Sequence, residues 1–259
     1  MMDEDELRRL AAQVEVRPGD PVARARLALA LLPSPEGEAL VRDALMRTRT
    51  CLELGLHEPA GEALALLRQG VHGPEVALEL ALLEADVTLQ KADVGRARAL
   101  LEAVLAEHPD AVGARLRAAA LALGLGEAEA ARRLIEPVAN AGVEPRALYV
   151  QALLALKLVD EAAQEAETGI EQAPEVSLMY QLLGIAELTR GRVESATLAL
   201  SEGLRLAPED PVAYYNLALA FEASGSHPAA LGVTDAGLEL APTDARLLAL
   251  RARLGGGPG

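Results

Sequence analysis

Residues 203–210 read GLRLAPED, and 34 residues later, at 237–244, the chain reads GLELAPTD. The phrase belongs to a longer series. Pro174, Pro208 and Pro242 recur at that spacing, each closing an apolar run with helical periodicity. Proline has no N–H for a continuing helix and disfavours helical geometry in the residue before it, so each one marks a helix end. Asp210 with Pro211 then suits an N-cap followed by the first helical position. Asp20 with Pro21 repeats that device near the N-terminus. The phrase therefore reads as a stop signal followed by a start signal.

A second marker runs further back along the chain. Ala63, Ala97, Ala131, Ala162, Ala196 and Ala230 lie at steps of 34, 34, 31, 34 and 34, each early in a helical run. A small residue at a fixed phase implies a tight helix crossing, because a larger one there would push the helices apart. Within one period the pattern is helix, short turn, helix, short turn, with Gly126, Gly191 and Gly225 in the turns. The fold expected is all-α, a solenoid of helix-turn-helix units. The shortened step predicts a change of rotation at ANAGVEP (139–145). Helices are also expected over 3–15, 21–32 and 36–54, while GGGPG at 255–259 is expected to be disordered.

Composition agrees with this scheme. Of 259 residues 51% are apolar, yet the chain has four Tyr, one Phe and no Trp, so its interior must be built from Ala, Leu and Val. A formal charge of −15 disfavours nucleic acid and anionic membrane surfaces, both of which attract cationic proteins. The start, MMDEDELRRLAA, lacks the basic and apolar regions of a signal peptide, and no apolar run approaches the ~20 residues that span a bilayer. With one cysteine, Cys51, no internal disulfide forms. The setting these features favour is cytoplasmic.

A 34-residue helix-turn-helix period resembles the tetratricopeptide repeat. The likeness is carried by Tyr180, Leu183, Gly184, Gly191, Ala196 and Pro208, and in the next period by Tyr214, Leu217, Ala218, Phe221, Gly225, Ala230 and Pro242. Upstream periods keep the alanine but lack the aromatic and glycine of the first helix. The resemblance implies a right-handed superhelical α-solenoid. It divides the chain into N-terminal capping helices (1–35), about six repeats (36–241), and a C-terminal capping helix with its Gly-rich tail (242–259). It also implies a concave groove lined by the second, fifth, ninth and twelfth positions of each first helix. Here those positions are Leu178, Gln181, Ile185 and Leu188, then Val212, Tyr215, Leu219 and Glu222. Each either meets a partner or packs against the neighbouring helix. Tyr180 and Tyr214 match packing positions, which leaves Tyr215 as the leading contact residue. Asn216 matches an asparagine that some members use to clamp a peptide carboxylate, but 177–189 has no basic residue to complete such a clamp.

Catalytic chemistry has no candidate in the sequence. His57, His72, His108 and His227 fall at helix ends or turns in different repeats, without a second His or Cys at ligand spacing, so no metal or cofactor is implied. Cys51 sits on an apolar helical face as a small buried side chain. GLG at 124–126 is an inter-helix turn lacking a nucleotide fingerprint. One charge feature remains: Asp160, Glu161, Glu165, Glu167, Glu171, Glu175 and Glu187 fall within 158–189, a stretch without a single Lys or Arg. It is either a solvated face or an electrostatic dock for a basic segment. The function expected is a noncatalytic protein–protein interaction scaffold binding a peptide or helix. The alternatives are a self-assembling solenoid forming homo-oligomers and a regulatory subunit whose active chain is separate.

Overall fold

The computed structural model describes residues 4–32, 34–70 and 72–255; residues 256–259 of the Gly-rich tail lie outside it. Among the described residues there are fifteen α-helices, one 3-10 helix and no strand. The chain forms two compact units, one up to Ala118 and one from Ala119.

The first unit holds α1 (Glu4–Val16), α2 (Pro21–Leu31), α3 (Pro35–Glu53), α4 (His57–Leu67), α5 (Pro74–Gln90), α6 (Val94–Glu107) and the start of α7 (Val112–Gly124). Asp20 caps α2 as expected: its Oδ1 accepts the Val22 N–H at 2.9 Å and the Ala23 N–H at 3.3 Å, with Pro21 opening the helix. The core joins Val22, Ala25 and Ala28 of α2 to Val41, Leu45 and Leu52 of α3, Leu64 and Leu67 of α4, and Leu80 and Leu83 of α5. Cys51 is buried in the same cluster.

The second unit continues with the rest of α7, α8 (Ala128–Ile135), a 3-10 helix (Glu136–Ala141), α9 (Val143–Ala155), α10 (Val159–Gln172), α11 (Ser177–Thr189), α12 (Val193–Leu206), α13 (Pro211–Ala223), α14 (His227–Leu240) and α15 (Ala245–Gly255). At the shortened step, α8 tightens into the 3-10 helix, and the connecting loop found in the other repeats is lost. There Arg146, 2% exposed at its side chain, donates to Asn140 of the 3-10 helix and pairs with Glu165 of α10.

The punctuation acts as its chemistry dictates. Ala173, Ala207 and Ala241, each preceding a proline, leave the helical region with φ between −145° and −129° and ψ between 72° and 78°. Asp210 then accepts the Val212 N–H at 2.9 Å to start α13. All six phased alanines are completely buried. The turns inside the repeats carry a second regularity, since each contains one residue with positive φ. These are Gly55, Gly126, Gly191 and Gly225 (φ 73° to 77°), but also Ala92 (59°) and Lys157 (61°). Glycine adopts that geometry freely, whereas alanine and lysine do so against a steric cost of ~1–2 kcal/mol.

Gly203 and Gly237 of the repeated phrase are close approaches. A Cβ on Gly203 would lie 3.2 Å from Gln181 Cγ, and one on Gly237 would lie 2.8 Å from Tyr214 Cβ and 3.0 Å from Leu247 Cδ1. The tightest crossing in this unit is Gly184 of α11 on Leu200 of α12, where a Cβ would sit 2.7 Å from Leu200 Cδ2. One period later the same two positions are Ala218 and Thr234; one period earlier they are Val150 and Ala166. All six residues are buried. Bulk moves from one partner to the other while the crossing stays filled, as close packing requires.

Candidate functional site

The candidate surface lies in the second unit, on the first helices α11 and α13 together with α15. Leu178 is 41% exposed, Ile185, Val212 and Leu219 are half-buried, and Leu188 packs partly against Leu200, Leu217 and Ala220. Helical spacing puts Leu178, Ile185 and Leu188 on one side of α11, and the register carries that side to Val212, Tyr215 and Leu219 on α13.

Gln181 has a different position. It is 5% exposed, and its Nε2 donates to Ser177 Oγ at 3.1 Å and to Asp210 Oδ2 at 2.9 Å. Its Oε1 accepts from Asn216 Nδ2 at 3.2 Å. An amide so enclosed is committed to the joint between α11 and α13, and Asn216 with it, so neither faces outward as the family pattern would have it. Ser177 completes the joint by donating to the Gly203 carbonyl at 2.7 Å.

One period further on, an arginine takes part. The Arg246 guanidinium of α15 lies 5.6 Å from the Tyr215 ring centroid, a cation–π distance, while its Nη2 donates to Asp244 Oδ2 at 2.8 Å. Asp244 caps α15, accepting the Arg246 N–H at 2.9 Å and the Leu247 N–H at 3.2 Å. The Arg246 side chain first, and then these backbone donors, hold the Asp244 carboxyl down at about 2. Arg253 forks onto Glu222, with Nε to Oε1 at 2.8 Å and Nη2 to Oε2 at 2.6 Å. Arg246 and Arg253 were not anticipated, although they stand 34 residues after Val212 and Leu219. Carrying the repeat register into the last helix would have found them.

The acidic stretch is partly neutralised from outside its own span. Arg190 donates to Asp160 at 2.7 Å and to Glu187 at 2.6 Å, and Arg146 pairs with Glu165. Glu161, Glu167, Glu171 and Glu175 remain exposed. Tyr180 and Tyr214 pack through their Cβ atoms against Gly203 and Gly237.

His57 and His227 open α4 and α14, His108 ends α6, and His72 meets the Leu67 carbonyl in the α4–α5 connection. Among the described residues no group of three or more His, Cys, Asp or Glu is placed to hold a metal ion, and no helix is long and apolar enough to cross a membrane. Burial, and then the Asp20 charge, push the Cys51 thiol up, away from the thiolate a nucleophile needs.

Tetratricopeptide repeat models match residues 88–147, 150–211 and 181–245. No curated protein matches the sequence. Among solved structures, a tetratricopeptide repeat protein from Parabacteroides merdae is 17% identical, with a TM-score of 0.68 over 83% of this chain and 85% of its own. A thermophilic tetratricopeptide repeat protein of Thermus thermophilus is 20% identical, with a TM-score of 0.58 over 69% and 97%. YrrB, described as having an unusual peptide-binding site, is 16% identical, with a TM-score of 0.50 over 66% and 89%. At these identities the structures speak to the fold. With model matches over more than half its length and helix pairs phased by buried alanine and proline, the chain belongs to the tetratricopeptide repeat family.

Proposed function

We propose that this chain is a noncatalytic protein-interaction scaffold that takes a peptide or helix of a partner protein along the first-helix face of α11 and α13. The observation that carries this reading is the accessible apolar row of Leu178, Ile185, Val212 and Leu219, beside helix crossings whose own apolar residues are buried. Tyr215 borders the row and offers an aromatic face, while Glu222 and Arg253 give it a polar edge. YrrB, of the same fold, has a peptide-binding site by its description, which supports the class of ligand. An acidic chain with one buried thiol fits a reducing, cytoplasmic setting and a protein ligand in preference to nucleic acid.

The test is affinity capture by the full chain beside Leu178→Glu and Tyr215→Ala variants of unchanged helicity. A partner retained by the wild type and lost from both variants supports the groove; one retained by both variants overturns it. Self-association is a second reading, favoured by Leu240 and Leu248, which are 48% and 45% exposed on the last two helices. Light scattering after size-exclusion chromatography separates the two, because a monomer over a wide concentration range removes self-association.

A further inference from the structure

In the first unit, α4, α5 and α6 line a half-open cavity of about 400 Å³. Gly61, Leu64, Val87 and Thr88 line it, Arg68, Lys91 and Arg96 bring three cations to it, and Glu84 and Asp93 bring two carboxylates. Its organising group is Glu84, whose side chain is 13% exposed. Arg68 Nη1 at 2.7 Å and Arg96 Nη2 at 3.1 Å both donate to one oxygen, Glu84 Oε1. The Lys91 ammonium stands 3.4 Å from where a Gly61 Cβ would be, and it has no ion pair among the described residues. The other polar groups are committed elsewhere: Asp93 accepts the Arg96 N–H at 3.1 Å to cap α6, and Thr88 Oγ1 donates to the backbone carbonyls of Glu84 and Ala85.

The array supplies its own comparison. The position of Glu84 is held in later periods by Ala118, Tyr149, Leu183, Leu217 and Arg251, and that of Arg68 by Glu102, Glu136, Glu167, Ser201 and Asp235. In the last period Arg251 and Asp235 form an ion pair at 2.8 Å, with the signs opposite to those of Glu84 and Arg68. Four of the five later periods have an apolar or aromatic residue at the first position, and all five have a carboxylate or a neutral group at the second. Only in this repeat does the second position carry a cation and the first a carboxylate, and Arg68 so placed joins Lys91 and Arg96 around one cavity.

We propose that this cavity binds a phosphoryl group, as a free phosphate or as a phosphate monoester on a peptide. Glu84 and Asp93 offset two of the three cations, so the lining keeps a net positive charge that attracts an anion. Each guanidinium spends one N–H on Glu84 and keeps others for ligand oxygens, and Glu84 fixes the spacing of the two forks before the ligand arrives. The volume suits a phosphorylated side chain or a small phosphate ester.

The test uses the full chain in calorimetric titration with inorganic phosphate, with a phosphoserine peptide and its unphosphorylated form, and with chloride at matched ionic strength. Saturable phosphate binding is expected, weakened at least about 10-fold in Lys91→Ala and in Arg68→Gln. Lys91→Ala leaves the Glu84 pairs intact, so its loss of binding does not report unfolding. A phosphoserine peptide binding tighter than phosphate identifies a protein ligand; phosphate binding as tightly or tighter identifies the free anion. Absence of saturable binding, equal affinity in the variants, or an equal response to chloride overturns the proposal. Tyr215→Ala should bind phosphate as the wild type does, which keeps this result separate from the groove of α11 and α13.

Discussion

Exchanging bulk across the α11–α12 crossing tests whether the repeats share one packing rule. In Gly184→Ala the new methyl would lie 2.7 Å from Leu200 Cδ2 and 3.1 Å from Cδ1, where carbon atoms prefer ~3.5–4.0 Å. Leu200 is fully buried and has no room to turn away. Overpacking of this kind costs ~1–3 kcal/mol, against which alanine returns ~1 kcal/mol of helix propensity, so a net loss of up to about 2 kcal/mol is expected. Leu200→Thr opens a gap and should lose ~2–3 kcal/mol, although its hydroxyl can bond the carbonyl four residues back, as Thr234 does to Ala230 at 2.7 Å. The double variant recreates the Ala218–Thr234 pair. Its methyl fills part of the gap and no longer meets an isobutyl group, so its loss should fall short of the summed single losses by ~2 kcal/mol. Urea unfolding followed by circular dichroism, with all four proteins on one baseline, measures this coupling. Losses that add within ~0.5 kcal/mol would refute the shared packing rule.

Three further outcomes follow from local chemistry. Lys157→Gly and Ala92→Gly each relieve a left-handed backbone and should stabilise by ~0.5–1 kcal/mol, raising the melting midpoint by a few degrees, while Gly191→Ala lowers it; a lower midpoint for both glycine variants would contradict this. Asp244, held at about 2 against an ordinary 3.8, contributes stability to α15 that is fully present above about pH 4 and lost as pH falls through about 2. A carboxyl titration by NMR with its midpoint near 4 would remove that contribution, and Asp244→Asn should keep the cap while flattening the pH response. Cys51 should react with a thiol reagent at least ~100-fold more slowly in the native protein than in urea, and comparable rates would mean that the core around α3 opens readily.

Much of the fold was legible because its markers act alone. A proline ends a helix by its own ring, an aspartate before Pro-X starts one with its own carboxylate, and a buried alanine at fixed phase records a close crossing. Asp20, Asp210, Pro208 and the six phased alanines needed no knowledge of their neighbours. The left-handed turns at Ala92 and Lys157 were hidden because neither residue favours that geometry; the repeat imposes it. The shortened step was visible as a number, but its conversion of a helix end into a 3-10 turn pinned by Arg146 depends on Asn140 and Glu165 meeting in space. The candidate surface divided in the same way. Exposure of Leu178 follows from register, whereas the burial of Gln181 requires Asp210 and Asn216, 29 and 35 residues away. The acidic stretch looked unopposed because its cations lie outside it, Arg190 directly after its end and Arg146 a helix earlier.

The fifth position of a first helix reaches the cap aspartate of the next one in the last two joints of the array: Gln181 directly to Asp210, and Tyr215 by way of Arg246 to Asp244. A ligand that draws Tyr215 toward itself must therefore take Arg246 along or break its stacking, and either event changes how firmly α15 is tethered. By reciprocity, whatever loosens α15 alters the affinity of Tyr215 for that ligand by the same factor. If the proposed surface takes its ligand through Tyr215, occupancy and fraying of the terminal helix form one linked equilibrium, and amide exchange in α15 reports binding at a residue it does not contain.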